Sequence, residues 1–350
     1  MWQKLLTLIA ALLALVAHKP TPLFTLTPSP TPTAGIQVLA TGLEIPWALA
    51  FLPDGSALVT ERPGRLNLLL PNHSIKLITT ISEVKPVGEG GLLGVAVDPN
   101  FTTNHYIYLY YTYQGNESRT LNRVVRYQFN HQQLSSPTIL VAAIPGAPNH
   151  NGGRLKFGPD GNLYITTGDA LNPSQAQDIN SLAGKILRLK AGVVEIYSFG
   201  HRNPQGLAWD AVGRLWEVEH GPTAHDEVNL INSGQNYGWP TITGSQSQPG
   251  LVTPVSQSGN DTWAPSGMGY LKGALYFAGL RGQSLFKANI NGNQITISRH
   301  LQNRFGRLRE VVVGPDQMLY LLTSNRDGRG QPTPDDDRIL RVDPQLLDKE

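Results

Sequence analysis

The chain has 350 residues and a formal net charge of +2, and it contains no cysteine. A charge this close to neutral argues against nucleic acid or an anionic membrane surface as the main partner. The absence of cysteine excludes disulfides, thiolate nucleophiles and cysteine-ligated metal sites.

The N-terminus predicts export. Lys4 precedes an apolar run at residues 5–17, and a short positive segment before an apolar run of this length is typical of a secretory signal. The run is short for a membrane-spanning helix, which needs about 20 residues, but its cleavage site is poorly marked. We therefore expect residues 1–18 to be a signal peptide or a retained N-terminal membrane anchor, and the protein to be periplasmic or extracellular.

A Thr/Pro-rich stretch follows at residues 19–34, with the sequence KPTPLFTLTPSPTPTA. Such a stretch does not pack and behaves as an extended linker. This argues against the alternative that residues 5–17 form a buried helix of the fold. The predicted organisation is a signal or anchor (1–18), a linker (19–34), one globular domain (35–344) and a short tail (345–350).

One phrase recurs six times in the globular domain: an apolar stretch, a tight turn, a second apolar stretch and a polar loop. The copies begin at Ala48, Leu92, Arg154, Gly206, Gly267 and Arg309. Units of two strands and a turn that recur every 40–60 residues (roughly) are the signature of a β-propeller.

The local chemistry agrees with this interpretation. Two of the turns read Pro-Asp-Gly, in which Pro sets φ and Gly tolerates a positive φ. Further strand candidates lie at residues 124–129, 185–189 and 339–342. We predict an all-β fold, a six-bladed β-propeller of four-stranded antiparallel blades. A β-sandwich or two smaller domains are the alternatives, which six spaced copies without a change in composition disfavour.

Loops at one end of propeller blades converge on the central channel, and the polar loops are where the six copies differ. His150 lies in NHNGGR before the third copy, and histidine is the side chain best suited to proton transfer near neutral pH. Asp169 follows the second strand of that copy, so a hairpin brings it to the same end, where it can accept a hydrogen bond from the His150 ring. An exposed turn histidine and an ordinary turn aspartate are the alternatives.

The loops around the fourth copy add polar groups. Arg202 and Asn203 precede it in GHRNPQG, and Gly221 and Pro222 follow it in EHGPTAHDEVN. Hard cations such as calcium bind carbonyl and carboxylate oxygens. The spacing does not match an EF-hand, so the pattern alone leaves a calcium site open.

Four arginines are expected near the channel mouth: Arg202, Arg281, Arg307 and Arg309. Arg307 and Arg309 alternate along a strand, so both can face one space. In a nearly neutral protein this concentration favours a bound anion that carries carboxylates or phosphates. For any single arginine the alternative is a salt bridge to a nearby acid: Glu89, Glu310 or Asp316.

Together these motifs resemble the soluble quinoprotein glucose dehydrogenase family, also called glucose/sorbosone or aldose sugar dehydrogenases. The resemblance covers residues 36–343 and rests on eight segments in order: GLEIPWALAFLPDG, GEGGLLGVAVDP, NHNGGRLKFGPDG, SFGHRNPQGLAWD, EHGPTAHDEVNLI, NYGWP, WAPSGM and RLREVVVGPDQ. It implies a six-bladed propeller that binds pyrroloquinoline quinone (PQQ) and calcium at the channel mouth and oxidises aldose sugars to lactones.

The resemblance also implies roles for individual residues. His150 matches the base that takes the anomeric hydroxyl proton while hydride passes to the quinone, and Asp169 matches the residue that orients it. Gly221 and Pro222 match positions whose backbone carbonyls bind calcium, which acts as a Lewis acid on the quinone. The positions expected to contact the cofactor are Glu89, Arg202, Asn203, Arg281, Arg307 and Arg309.

The chain departs from the family pattern at three positions. Some members carry Gln at Glu89, Lys at Arg281 and Asp at Asn149. A carboxylate at Glu89 requires calcium or an arginine nearby. Trp263 and Tyr237 are candidates for stacking on a sugar, with core packing as the alternative reading.

The chain is compact and lacks the longer loops of the family members that oxidise glucose best. We therefore expect broad aldose specificity and a monomer, with electrons passed to an external acceptor, either a quinone or a redox protein. Two other functions stay open: a non-catalytic propeller of the same lineage that binds a ligand or protein, and a calcium-dependent propeller lactonase.

Overall fold

The computed structural model describes residues 35–116 and 119–349. The predicted signal or anchor and the linker lie outside these residues. In the described part of the chain 24 strands form six four-stranded antiparallel sheets, and no helix there is long and apolar enough to cross a membrane. The predicted six-bladed β-propeller is confirmed.

The strands of the first three blades follow one another along the chain after β1 (Ile36–Ala40). Blade 1 consists of β2 (Pro46–Phe51), β3 (Ala57–Glu61), β4 (Arg65–Leu69) and β5 (Ile75–Thr80). Blade 2 consists of β6 (Leu92–Val97), β7 (Tyr106–Gln114), β8 (Thr120–Asn130) and β9 (Gln133–Pro145), with the short helix α1 (Phe101–Asn104) between its first two strands. Blade 3 consists of β10 (Leu155–Phe157), β11 (Leu163–Thr167), β12 (Lys185–Lys190) and β13 (Val193–Phe199).

The other three blades continue this order. Blade 4 consists of β14 (Pro204–Trp209), β15 (Leu215–Glu219), β16 (Glu227–Ile231) and β17 (Ser256–Gln257). Blade 5 consists of β18 (Pro265–Leu271), β19 (Ala274–Gly279), β20 (Ser284–Asn291) and β21 (Gln294–His300). Blade 6 consists of β22 (Leu308–Val313), β23 (Leu319–Thr323), β24 (Ile339–Val342) and the N-terminal β1. Two 3-10 helices lie at Pro173–Ala176 and Pro344–Leu346.

The six repeated phrases are the first two strands of the six blades. In the first copy Leu52 N donates to Ser56 O at 2.8 Å, and Gly55 adopts φ 84°, as the Pro-Asp-Gly turn requires. The second strands β3, β11 and β15 are buried along their whole length. Their burial extends to polar residues at the strand ends, such as Glu61, Thr167 and Glu219. The first strand of blade 2, β6 (LLGVAV), is continuously apolar and buried at five of its six residues, as burial on both faces favours.

The ring is closed by the two ends of the domain. β1 pairs antiparallel with β24, with Ile36 opposite Val342, and β22 packs against β2. Without β1 the edge of β24 would present unpaired backbone groups, which is unfavourable. The repeat pattern does not reveal this closure, because β1 lies before the first copy.

Trp263 and Tyr237 are core residues. Trp263 packs against Phe277 and Phe286, with ring centroids 5.7 and 5.3 Å away, and only 8 % of it is exposed. Tyr237 stacks on His201 and donates its hydroxyl to Leu230 O at 2.8 Å. The core-packing interpretation is therefore correct for both residues, and neither is available to stack on a sugar.

Candidate active site

A cavity of about 540 Å³ is formed where the inner strands begin and the second strands end. All six blades contribute to it, through loops that include Arg62, Glu89, His150, Arg202, Arg281 and Arg307. Eight of the ten predicted site residues line this cavity: Glu89, His150, Arg202, Gly221, Pro222, Arg281, Arg307 and Arg309. Asp169 and Asn203 lie behind its wall.

His150 stands on a strained turn. Its φ is 60°, and a Cβ on Gly168 would overlap the His150 carbonyl oxygen, so the turn depends on a glycine at that position. The expected hydrogen bond is present, with 2.7 Å between His150 Nδ1 and Asp169 Oδ1. A carboxylate can only accept here, so Nδ1 carries a proton, and in the neutral imidazole the lone pair is on Nε2. Nε2 has no hydrogen-bond partner in the described part of the chain.

Asp169 is fixed by further donors. Leu171 N donates to Oδ1 at 2.9 Å, and the indole Nε1 of Trp239 donates to Oδ2 at 2.9 Å. The Asp169 side chain is 1 % exposed, so these hydrogen bonds compensate its lost hydration. Asp169 therefore holds the His150 ring in one orientation. The other ring nitrogen of His150, Nε2, is free among the described residues, and the His150 side chain lines the cavity.

Arg307 and Arg309 both line the cavity, as their alternation predicts. Arg307 forms an ion pair with Asp327, with Nε and Nη2 at 2.9 and 2.8 Å from Oδ2. Arg309 donates from Nη1 to Gln205 Oε1 at 2.9 Å. Burial lowers the pKa of Arg309 to about 9 despite the Asp327 carboxylate, and the side chain is still cationic at neutral pH.

Glu89 has the arginine that its charge requires. Arg329 donates from Nη1 to Glu89 Oε1 at 2.6 Å and from Nη2 to Asn149 Oδ1 at 3.0 Å. Burial raises the pKa of Glu89, but the positive charges of protonated His220, Arg329 and Arg309 lower it below the usual value. Two of the three departures from the family pattern, Glu89 and Asn149, thus share one partner.

Arg202 and Asn203 lie on one turn, but only Arg202 lines the cavity. Arg202 reaches the cavity, donates from Nη1 to His220 O at 3.2 Å, and its guanidinium lies 5.4 Å from the Trp239 ring centroid. Asn203 is fully buried behind the wall, where Oδ1 accepts from Gly152 N at 3.1 Å. In this arrangement Asn203 supports the turn after His150 and does not itself line the cavity.

The buried carboxylate of Glu219 holds the turn that carries Arg202 and Asn203. Glu219 Oε2 accepts from the backbone nitrogens of Arg202 and Asn203 at 2.6 and 3.2 Å, and Oε1 lies 3.0 Å from His201 Nδ1. Glu217 lies beside them, and burial raises its pKa well above the usual value. Glu219 therefore fixes the backbone that presents Arg202.

The Gly221–Pro222 loop is held by Asp226. Oδ1 of Asp226 accepts from Gly221 N at 2.9 Å, and Oδ2 accepts from the backbone nitrogens of Trp263 and Ala264 at 2.6 and 2.8 Å. Both carboxylate oxygens are therefore occupied within the protein. A cation at this loop would be offered backbone carbonyl oxygens and at most the one remaining acceptor site of Asp226.

Several buried polar atoms in the cavity wall lack a protein partner among the described residues. They are Arg62 Nε, Arg202 Nε, Arg309 Nε and His220 Nε2. Burial lowers the pKa of His220 to about 4, so its imidazole is neutral at pH 7. Unpartnered buried polar atoms are costly. The side chains that carry these atoms all line the one cavity, which therefore concentrates charged and polar groups.

Sequence reasoning missed several cavity residues: Arg62, His220, Asp226, Asp327 and Arg329. Arg62 follows the second strand of the first copy, and Asp327 and Arg329 follow that of the sixth. The rule that located Asp169 and Gly221 would have found them if it had been applied to every copy. Trp239 lies outside this rule, in the long segment between β16 and β17, and its one signal is the NYGWP segment of the family resemblance.

The sequence model of the Glucose / Sorbosone dehydrogenase family matches residues 43–340, most of the propeller. The chain belongs to the glucose/sorbosone dehydrogenase family. It is thus an oxidoreductase of the sugar dehydrogenase type, as the resemblance implied. Aldose sugar dehydrogenase YliI of Escherichia coli is 32 % identical over 357 residues, which cover 89 % of this chain and 94 % of that protein.

Solved structures of related dehydrogenases have the same fold. The PQQ-bound form of aldose sugar dehydrogenase from Streptomyces coelicolor is 38 % identical with a TM-score of 0.83, over 88 % of this chain and 97 % of that one. A putative oxidoreductase (glucose dehydrogenase) from Thermus thermophilus is 44 % identical with a TM-score of 0.82, over 88 % and 99 %.

Proposed function

We propose that this chain is a PQQ- and calcium-dependent aldose dehydrogenase that oxidises sugars at the anomeric carbon to lactones. The observation that carries the proposal is the His150–Asp169 pair on the wall of a cavity lined by arginines. Hydrogen bonding by Asp169 gives His150 the tautomer of a general base. The arginines supply the counter-charge for an anionic cofactor.

The residues present fit PQQ, a planar quinone with carboxylate groups. Six arginines and three carboxylates line the cavity. Two of the carboxylates are paired with Arg307 and Arg329 and the third with backbone nitrogens. A cavity with more guanidinium groups than carboxylates suits a ligand with several carboxylates of its own. Arg202, Arg281, Arg307 and Arg309 are the side chains that would hold it.

The loop at Gly221 and Pro222 fits calcium. Calcium accepts neutral carbonyl ligands, and the Asp226 carboxylate keeps the loop in place through hydrogen bonds to backbone nitrogens. Neutral ligands leave the charge of the cation available to polarise a bound quinone.

The chain's own residues then act on the sugar. His150 takes the proton of the anomeric hydroxyl at Nε2, and Asp169 stabilises the imidazolium that results. When bound, PQQ supplies the two-electron acceptor for the hydride of the anomeric carbon. Loss of one proton and one hydride converts a cyclic aldose into its lactone. The rigid turn at Gly168 keeps the His150 ring in place during the proton transfer.

The same geometry disfavours the two alternatives. A calcium-dependent lactonase needs carboxylate side chains on its metal, whereas the three cavity carboxylates are already engaged by the protein. A non-catalytic binding propeller has no need for a buried carboxylate that orients a histidine. We further propose that the protein is an exported monomer with broad aldose specificity, and that it passes electrons to a quinone or redox protein.

The deciding experiment is a dye-reduction assay on the purified protein with a panel of aldoses, with and without added PQQ and calcium. We expect turnover only with both, and loss of turnover on chelation of calcium. Lactone hydrolysis without PQQ would support the lactonase instead. PQQ binding without turnover on any aldose would support the binding propeller, and no PQQ binding at all would refute the proposal.

A further inference from the structure

The second oxygen of the Asp169 carboxylate depends on one side chain. Oδ1 accepts from His150 and from Leu171 N, whereas Oδ2 accepts only from the Trp239 indole, at 2.9 Å, within the described residues. The Asp169 side chain is 1 % exposed, so water cannot replace a lost donor without rearrangement. The orientation of this carboxylate is thus set by His150 on one side and Trp239 on the other.

Trp239 is itself held firmly. Its backbone nitrogen donates to Gly200 O at 2.9 Å, and its carbonyl accepts from Gln177 Nε2 at 2.6 Å. Gly238 before it has φ 86°, and a Cβ there would overlap the Ile242 side chain. These contacts join the segment to blade 3 and to the turn before β14.

The face of the same indole lies under a cavity arginine. The Arg202 guanidinium is 5.4 Å from the ring centroid, within the range of a cation–π contact. Arg202 lines the cavity, and its Nε has no protein partner among the described residues. One side chain therefore contacts both the carboxylate behind His150 and an arginine that faces the ligand.

We propose that Trp239 is a positioning residue for the reaction, with two separable contacts. Its N–H fixes the Asp169 carboxylate and through it the Nδ1–H tautomer of His150, and its ring face orients Arg202 toward the bound anion. The kinetic part of this inference rests on the proposed function. The effect of Trp239 on the tautomer of His150 and on the orientation of Arg202 does not depend on a cofactor, so it can be tested in the cofactor-free protein.

Two substitutions separate these contacts. W239F removes the N–H and keeps a ring under Arg202, so we expect kcat for aldose oxidation to fall about tenfold, with PQQ affinity and the sugar KM within about twofold of wild type. W239A removes both contacts, so PQQ affinity, measured by quenching of protein fluorescence, should fall as well. W209F is the matched control, because Trp209 is a half-buried tryptophan with ring contacts to Tyr164 and no indole hydrogen bond among the described residues. We expect it to leave both quantities unchanged.

A double-mutant cycle tests whether Trp239 acts through Asp169. D169N removes the carboxylate, so W239F should cause no further loss of kcat in that background. If W239F leaves kcat unchanged in the wild type, or lowers it by the same factor with and without D169N, the inference is wrong.

Nuclear magnetic resonance of the cofactor-free protein, labelled with ¹⁵N in histidine and in the tryptophan indole, gives a readout that needs no turnover. We expect the Nδ1–H tautomer of His150 in wild type and W209F, and a mixture of tautomers in W239F. If W239F does not fold, D169A replaces it, and the indole N–H resonance of Trp239 should move upfield because alanine leaves no acceptor at this position. An unchanged His150 tautomer in W239F, or an unchanged indole resonance in D169A, would overturn the inference even if the protein oxidises no sugar.

Discussion

The guanidinium of Arg329 donates to Glu89, with 2.6 Å between Nη1 and Oε1, although 240 residues separate the two along the chain. The contact joins the loop after β23 to the loop before β6. Glu89 also receives the backbone N–H of His150 at 3.3 Å. Glu89, one of the positions at which this chain departs from the family pattern, thus contacts both Arg329 and the turn that carries the proposed base, His150.

Removing one partner of this pair should weaken cofactor binding. In R329Q the Glu89 carboxylate loses a compensating cation, which leaves excess negative charge in a cavity proposed to hold an anion. We expect PQQ affinity to fall about tenfold, and the double variant E89Q/R329Q to recover most of it. Fluorescence titration with PQQ measures this, with R341Q as the control, because Arg341 pairs with Asp316 away from the cavity. Equal affinity in R329Q and wild type would contradict the prediction.

His150 should be needed for turnover and not for cofactor binding. H150A removes the nitrogen that accepts the anomeric proton, so we expect kcat to fall at least about 100-fold. PQQ affinity should stay within a few-fold of wild type, because the arginines are untouched. Stopped-flow reduction of the bound quinone by sugar measures the first quantity and titration the second. Turnover like that of wild type would show that another group is the base.

Buried and exposed arginines should respond differently to salt. Arg309 is buried at 3 % exposure, whereas Arg281 is exposed at the rim of the cavity. Salt screens exposed charges far more than buried ones. We therefore expect R281Q to reduce PQQ affinity at low ionic strength and to have little effect near 0.5 M salt (roughly), while R309Q reduces affinity at both. The same salt dependence for both variants would contradict the placement of these charges.

Glu227 should make the protein less stable as pH rises. Burial and the neighbouring Glu219 carboxylate raise its pKa from 4.5 to about 8. Between these values the folded state keeps a proton that the unfolded state releases, so the free energy of unfolding falls with rising pH, by up to about 1.4 kcal/mol per pH unit. The loss is complete above the folded pKa.

Urea unfolding at pH 6, 7 and 8 tests this against E227Q, which cannot ionise and should show a flatter dependence. E83Q is the control, since the Glu83 side chain is more than half exposed. A pH dependence in E227Q as steep as that of wild type would show that another group is responsible.

Much of this molecule follows from short-range patterns. Apolar stretches joined by tight turns predicted the blades, because a strand pair is encoded within about 20 residues of sequence. The same rule places His150 and Asp169 at one end of a hairpin, and it places Arg307 and Arg309 on a strand that starts at the channel. The hydrogen bond between His150 and Asp169 and the common direction of Arg307 and Arg309 could therefore be predicted from local sequence alone.

The rest depends on contacts between blades. The pairing of β1 with β24, the ion pair of Arg329 with Glu89 and the donation from Trp239 to Asp169 join residues that are 70 to about 300 positions apart. No local preference specifies such partners, because they are set by how the closed ring brings loops from different blades to one channel. The sequence by itself determined the blades and the types of residue at their ends. The tertiary structure decided which of those residues meet, because closure of the ring sets the distances between them.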